Sequence, residues 1–196
     1  RFFRRNHGRT ASGGGVYIHG LEVSGAYHAG RKIGLGRAGS VLLPALGRNL
    51  IVNPGFETGD LTGWTVRSGG WQVMNPKNAS AITKAHSGTY WLICTNDRSS
   101  IRSDFFAVTP GTTLEISLWR AEAWEYRTNK ASMLLPDGTI QDIIPMPGIR
   151  HEDLYEWRRL TATWTVSESV TSAALLITNT NGGWGRFDDI SVRQII

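Results

Sequence analysis

A single cysteine, Cys94, serves the whole chain, so no disulfide can close within it. The core has to hold by burial, by hydrogen bonding or with a metal. The place of Cys94 within residues 90–95 suggests a strand, where a lone cysteine reads as a small buried hydrophobe rather than a nucleophile. Long apolar runs are also missing: none approaches the roughly 18 residues that a membrane-crossing helix needs. No stretch sustains a 3.6-residue apolar period, and a turn at residues 152–156 is the one helical candidate. Internal repeats are absent. No signal-peptide pattern is present, and the chain opens on Arg1 rather than Met. It is therefore read as a piece of a longer polypeptide or as a trimmed one, and the missing targeting signals say nothing about location.

Catalytic and nucleotide signatures are missing too. The five histidines (His7, His19, His28, His86, His151) show no metal-ligand spacing. No Ser-His-Asp or Cys-His arrangement has a framework, and His86 reads as a structural hydrogen-bonding residue in its turn. The carboxylates of Glu115, Glu122, Glu125, Asp153 and Glu156 could supply a glycosidase pair, which needs two acids about 5–10 Å apart in a cleft, but nothing singles out a pair. Residues 34–39, GLGRAG, match a dinucleotide-binding glycine pattern. The match is discarded, because no buried strand precedes it and no helix can follow through Pro44.

What the chain does have is unevenly spread. Of 21 Lys and Arg, eight lie in residues 1–49 (Arg1, Arg4, Arg5, Arg9, Arg31, Lys32, Arg37, Arg48) against one acid, Glu22. The whole positive excess of the protein belongs to this segment. It also holds eleven glycines, each costing about 1 kcal/mol in a helix, so stable helices are excluded there. Short apolar pieces at 16–18 and 41–43 can pair as strands, but the segment cannot bury a core of its own. Residues 1–48 are expected to form an extended arm that docks on another chain or domain. No aromatic ladder accompanies the charges, so a nucleic-acid partner is not expected.

From residue 49 onward, short alternating runs recur between turn signals, the spacing of a β-sandwich or barrel. Strands are expected at 50–52, 64–67, 71–74, 81–84, 89–95, 101–108, 113–121, 131–135, 139–144, 157–166, 171–178 and 185–195. Residues 135–139, LPDGT, form a hairpin turn with Pro at the first corner and Asp-Gly behind it. Alternation puts Leu114, Ile116 and Leu118 on one face and Glu115, Ser117 and Trp119 on the other. Likewise Tyr90, Leu92 and Cys94 oppose Trp91, Ile93 and Thr95, while Leu160, Ala162, Trp164 and Val166 face inward. In residues 49–64, NLIVNPGFETGDLTGW, Pro54 and a positive φ at Gly55 should reverse the chain, with Phe56 plugging the core and Glu57 pointing away.

That last run resembles the opening of the family 4/9 carbohydrate-binding modules, within the galactose-binding-like jelly rolls. Four further pieces follow in the family's order: residues 86–92 (HSGTYWL), 109–119 (TPGTTLEISLW), 157–164 and 187–192 (FDDISV). The resemblance covers residues 49–196 and implies an all-β jelly-roll sandwich behind the N-terminal arm. The fold also serves in adhesins and viral tail and spike proteins, so function has to be argued from the site. The resemblance implies a structural Ca²⁺ held by Glu57 and Asp189 with main-chain oxygens near Gly59 and Gly88. Calcium takes six to eight oxygens at about 2.3–2.6 Å, which a mixed carboxylate–carbonyl cage can supply. The other reading of the same residues is hydrogen bonding to turn amides without a metal.

Eight tryptophans are many for this length. A flat indole or phenol stacks on the apolar face of a sugar ring, and the same side chains suit subunit interfaces. Trp64 and Trp164 read as core. Trp91 and Trp119 fall on outward faces, Trp124 and Tyr126 in the following loop, and Trp184 in a glycine-rich loop. These five are the candidate ligand-binding residues, with Glu115, Arg120, Glu122, Arg127, Asn129 and Asn179 as possible partners for hydroxyls. Whether a ligand lies on the concave sheet or at the loop end is left open by the resemblance, and interface packing stands beside sugar binding for each ring. The expected function is non-catalytic recognition of a polysaccharide or cell-surface glycan. The expected setting is an extracellular or virion-borne fibre or spike, oligomeric and docked through residues 1–48. A structural decoration module, and an accessory module of a glycoside hydrolase, are the alternatives.

Overall fold

The computed structural model describes residues 45–77, 84–122, 128–148, 150, 154–182 and 184–196, together with four two-residue strands nearer the N-terminus. Two compact units divide at residue 43. The first contains two short antiparallel ladders, β1 (Tyr17–Ile18) with β2 (Leu21–Glu22) and β3 (Tyr27–His28) with β4 (Arg31–Lys32). The second is a β-sandwich, and the described residues contain no helix. The sandwich opens a few residues earlier than the alternation suggests. Leu46 bridges Ile195, and the Gly47 amide donates to Gln194 O at 2.8 Å, so the first residues pair with the last strand.

The remaining strands are β5 (Trp64–Ser68), β6 (Trp71–Met74), β7 (Trp91–Cys94), β8 (Ser99–Ser103), β9 (Phe106–Ala107), β10 (Thr113–Glu122), β11 (Thr128–Leu134), β12 (Ile140–Met146), β13 (Arg158–Thr165), β14 (Ser172–Asn181) and β15 (Gly185–Gln194). One sheet has the order β13-β10-β15-β7-β6. The other runs β12-β11-β14-β8-β5, with β9 pairing β14 at one end. Every pairing is antiparallel, and chain neighbours often lie apart or in opposite sheets, which is the jelly-roll arrangement.

The core lies between the sheets. Leu114, Ile116 and Leu118 of β10 are buried as alternation requires, with Phe187, Ile190 and Val192 of β15, and meet Ile101, Ala131, Met133, Leu175 and Ile177 of the facing sheet. Trp64 and Trp164 belong to the same core. Residues 50–52 do not form a strand, although the Leu50 amide reaches Val192 O at 2.9 Å. Of the expected strand 81–84, residues 81–83 lie outside the described set, as do residues 152–153 of the expected turn. Residues 154–155 do form a turn.

The opening turn departs from expectation in its backbone. Positive φ falls on Asn53 (50°) and Phe56 (58°) and not on Gly55, where a Cβ would meet carboxylate oxygens of Asp189 and Asp188 at ordinary contact distances of 3.4 and 3.5 Å. Phe56 is fully buried and tilts against Trp64 at 5.3 Å, as the plug predicts. The hairpin at 135–139 closes as its residues require. Leu135 N donates to Thr139 O at 2.9 Å, Asp137 accepts from Thr139 N at 2.8 Å, and Gly138 takes a φ of 89°.

Candidate functional site

Continuing the alternation of β10 past Leu118 puts Arg120 and Glu122 on the buried face, where the apolar core ends. Arg120 is 6% exposed and Glu122 is fully buried. Their side chains form a salt bridge at 2.7 Å, and Asn129 of β11 donates to the same Glu122 oxygen at 2.6 Å. Arg120 also donates to Pro147 O at 2.8 Å. Burial pushes the Glu122 carboxyl above its ordinary range, against the charges of Arg120 and Arg186. The second carboxylate oxygen, Oε2, accepts no hydrogen bond, nor does Asn129 Oδ1. Leaving a buried acceptor unpaired costs about 1–3 kcal/mol, so the pair is held at an energetic cost.

Arg120 and Glu122 line a cleft of about 290 Å³ with Ala121, Pro147, Gly148, Arg150, Glu156, Arg158 and Leu160. On the other side of the sheet Arg186, registered opposite Ala121 and Ile93, is 6% exposed. Its guanidinium stands over the Tyr155 ring at 5.2 Å, and its Nε and Nη1 have no partner. Burial pulls its pKa down. Gly185, paired with Glu122, packs so close to Asn129 that a Cβ would meet its amide group at 3.3 Å.

Trp184, the residue before Gly185, is 45% exposed and has a φ of 81°. Its amide donates to Cys94 O. The other candidate rings fare differently. Trp91 takes the face assigned to it but is buried to 1% exposure, which corrects its expected place among solvent-facing rings: all four residues of β7 are buried, so both faces of the strand are covered. Trp119 is half-buried, and His86 stacks on it at 3.7 Å, with Trp157 edge-on to His86 at 6.0 Å. Trp124 and Tyr126 lie outside the described residues, as do Arg127, Glu125 and Asp153. Asn179 is spent inside, donating to Asn96 O at 2.8 Å and to Cys94 Sγ at 3.1 Å, and Glu115 pairs with Arg159 at 3.3 Å on the surface.

The carboxylates expected to hold calcium do gather around the opening turn. Glu57 accepts from the amides of Thr89 (3.0 Å) and Tyr90 (3.0 Å). Gly88, with φ 61°, fits because a Cβ there would fall on that carboxylate. Asp189, at φ 45° where β15 carries one residue more than β10, meets His86 Nδ1 at 2.6 Å and accepts from Ser87 Oγ at 2.8 Å. Asp188 accepts from the amides of His86 (2.9 Å), Ser87 (3.2 Å) and Asp189 (2.8 Å), and burial together with the Asp189 charge pushes its pKa up to about 7. The carboxylates are thus directed at N–H and O–H donors. Among the described residues no three His, Cys, Asp or Glu side chains converge where they could hold a metal ion. In this arrangement the carboxylates form a hydrogen-bonded clasp joining the first turn to the last strand, and a Cβ at Gly59 would meet the Tyr90 ring.

Sequence reasoning named Arg120, Glu122 and Asn129 but missed Arg186, Arg158 and Tyr155. The signal for Arg186 was its alternation with Phe187, which places a cation on a covered strand. The sequence matches no protein-family model and no curated protein. Its fold, however, has relatives among solved structures. A carbohydrate-binding module, TmCBM61, solved with β-1,4-galactotriose, is 21% identical over 76% of this chain and 99% of its own, with a TM-score of 0.53. The xylan-binding CBM22-1 domain of Paenibacillus barcinonensis Xyn10C is 16% identical over 78% of this chain and 96% of its own, with a TM-score of 0.55. A family 16 carbohydrate-binding module is 16% identical over 74% and 99%, at 0.52. At these identities the likeness establishes the jelly-roll fold of such modules.

Proposed function

We propose that the sandwich is a non-catalytic module that recognises a glycan at the end of the sheets where β10 stops and β15 begins. One observation carries the reading. Trp184 is a bulky residue in the left-handed region, which costs of order 1–3 kcal/mol and persists where surrounding structure enforces it, often at ligand sites. Its ring is nonetheless exposed to solvent, so it does not offset that strain by core packing. The fold's likeness to modules that bind galactan and xylan oligosaccharides supports the substrate class.

Chemistry divides the work between the two features. Sugar hydroxyls exchange hydrogen bonds with water almost evenly, so polar partners set orientation more than affinity. Covering about 100 Å² of indole and sugar C–H surface supplies roughly 2.5 kcal/mol. Affinities between millimolar and micromolar follow, and several copies on one assembly would multiply avidity. Glu156 and Arg158, exposed side chains in the cleft lining, are the polar groups placed to orient hydroxyls.

The parent is inferred to be an extracellular or particle-borne assembly in which residues 1–48 dock on other subunits. Part of the enzymatically active domain of tailspike protein 4 of bacteriophage CBA120 has a similar fold, 13% identical over 75% of this chain and 21% of its own, with a TM-score of 0.51. The accessory-module reading uses the same site and differs only in the parent. Glu122 and Glu156 share the cleft, so the binding assay includes a test for release of reducing ends. The experiment is a glycan array with the whole chain and with Trp184→Ala. Retained binding by the variant rejects the site, and turnover rejects the non-catalytic reading.

A further inference from the structure

The outer face of the six-stranded sheet carries a second concavity, lined by residues of β5, β8, β11 and β14 and reaching Thr180, four residues before Trp184. It is a groove of about 420 Å³. Its floor is a row crossing four strands, three hydroxyls and then a lysine: Ser68 of β5 is registered with Ser100 of β8, Ser100 with Thr178 of β14, and Thr178 with Lys130 of β11. Three strand spacings make the row from Ser68 to Lys130 about 14 Å long, enough for an oligosaccharide rather than one sugar. The Ser68 and Ser100 hydroxyls lie 3.0 Å apart. Arg67 and Arg98 stand at the β5 end, both exposed and neither in a salt bridge among the described residues. Lys130 lies at the far end, neutralised by Asp142 at 2.9 Å. No acidic residue lines the groove.

Two irregularities bring the arginines here. The β5–β8 register shifts between Val66 and Ser68, so Arg67 is an extra residue opposite Ser100. Bulges of this kind re-aim side chains. Arg98 has a φ of 49°, a region that a non-glycine residue rarely occupies, and its carbonyl accepts from Ser68 Oγ at 3.4 Å.

We propose that this groove binds an acidic polysaccharide, with a uronate carboxylate on Arg67 and Arg98 and the neighbouring hydroxyls along Ser100 and Thr178. Guanidinium groups pair with carboxylates through two parallel hydrogen bonds, which fixes orientation as well as charge. Hydroxyl side chains on the floor match the rest of a sugar chain. No aromatic residue lines the groove, so the stacking that single-stranded nucleic acid requires is missing.

The test is calorimetry of the whole chain with an oligogalacturonate and with its fully methyl-esterified form, at low and at physiological salt. The acidic oligomer should bind, at least tenfold more tightly than the ester, with affinity falling as salt rises. Arg67→Gln with Arg98→Gln should lose at least tenfold for the acidic oligomer. Arg98→Gly removes one charge while suiting its backbone, so it should melt no lower than the parent and still lose affinity. The basic residues 1–48 are common to all these proteins, so the differences report the groove. Equal binding of acid and ester, full affinity in the double variant, no binding by the parent, or tighter binding of a single-stranded oligonucleotide would overturn the proposal.

Discussion

Replacing Glu122 by Gln tests how the cleft is held. The substitution keeps the size and one acceptor of the side chain but removes the charge that faces Arg120 at 2.7 Å. Glu122 is fully buried and Arg120 is 6% exposed, so water cannot take over. Removing one partner of a buried ion pair costs about 3–5 kcal/mol, most of it from the charge left behind. For a domain of this size each kcal/mol moves the melting temperature by about 2–4 °C, so a fall of about 6–20 °C is expected. Replacing both partners, Arg120→Met with Glu122→Leu, should cost far less than the single change, because no isolated charge remains. Denaturant or thermal melts of the parent, Glu122→Gln, Arg120→Met and the double variant measure the differences. If Glu122→Gln is neutral while Arg120→Met is also neutral, Glu122 is held uncharged, and the pair does not organise the cleft as described.

Two further expectations concern the clasp at the opening turn. Chelating divalent ions should leave the melting temperature unchanged, because the Glu57 and Asp189 carboxylates already accept from N–H and O–H groups; a clear rise with added calcium would show that a cage forms after all. Gly88→Ala should destabilise the sandwich by about 1–3 kcal/mol, since its Cβ would collide with the Glu57 carboxylate at φ 61°. Combining it with Glu57→Ala should cost less than the two added together, and a melt showing strict additivity would separate the residues.

Most of the fold is legible in the sequence because alternation reports which face a residue takes. Residues 71–74 match β6 at both ends, and Leu114, Ile116 and Leu118 fall in the core as read. Alternation does not report what covers the opposite face. Trp91 takes the face assigned to it, yet β7 is covered on both sides and the ring is buried. Backbone conformation was the other blind spot. Glycine next to proline suggested positive φ at Gly55, but Asn53 and Phe56 carry it, and nothing in the packing around Gly55 calls for a glycine. The site was half visible. Arg120 and Glu122 looked like polar neighbours of aromatics, whereas their spacing from Leu118 already placed them inward, at a point where only a mutual ion pair makes burial tolerable.

The account stands most directly on Trp184. Trp184→Gly removes the ring and at the same time suits a φ of 81°, so the variant should melt at or above the parent temperature. Glycan binding, measured by calorimetry with the oligosaccharide that binds the parent best on the array, should weaken by the roughly 2.5 kcal/mol assigned to the ring, a loss of about 50- to 100-fold. A variant that is equally stable and still binds its glycan with parental affinity would contradict the account.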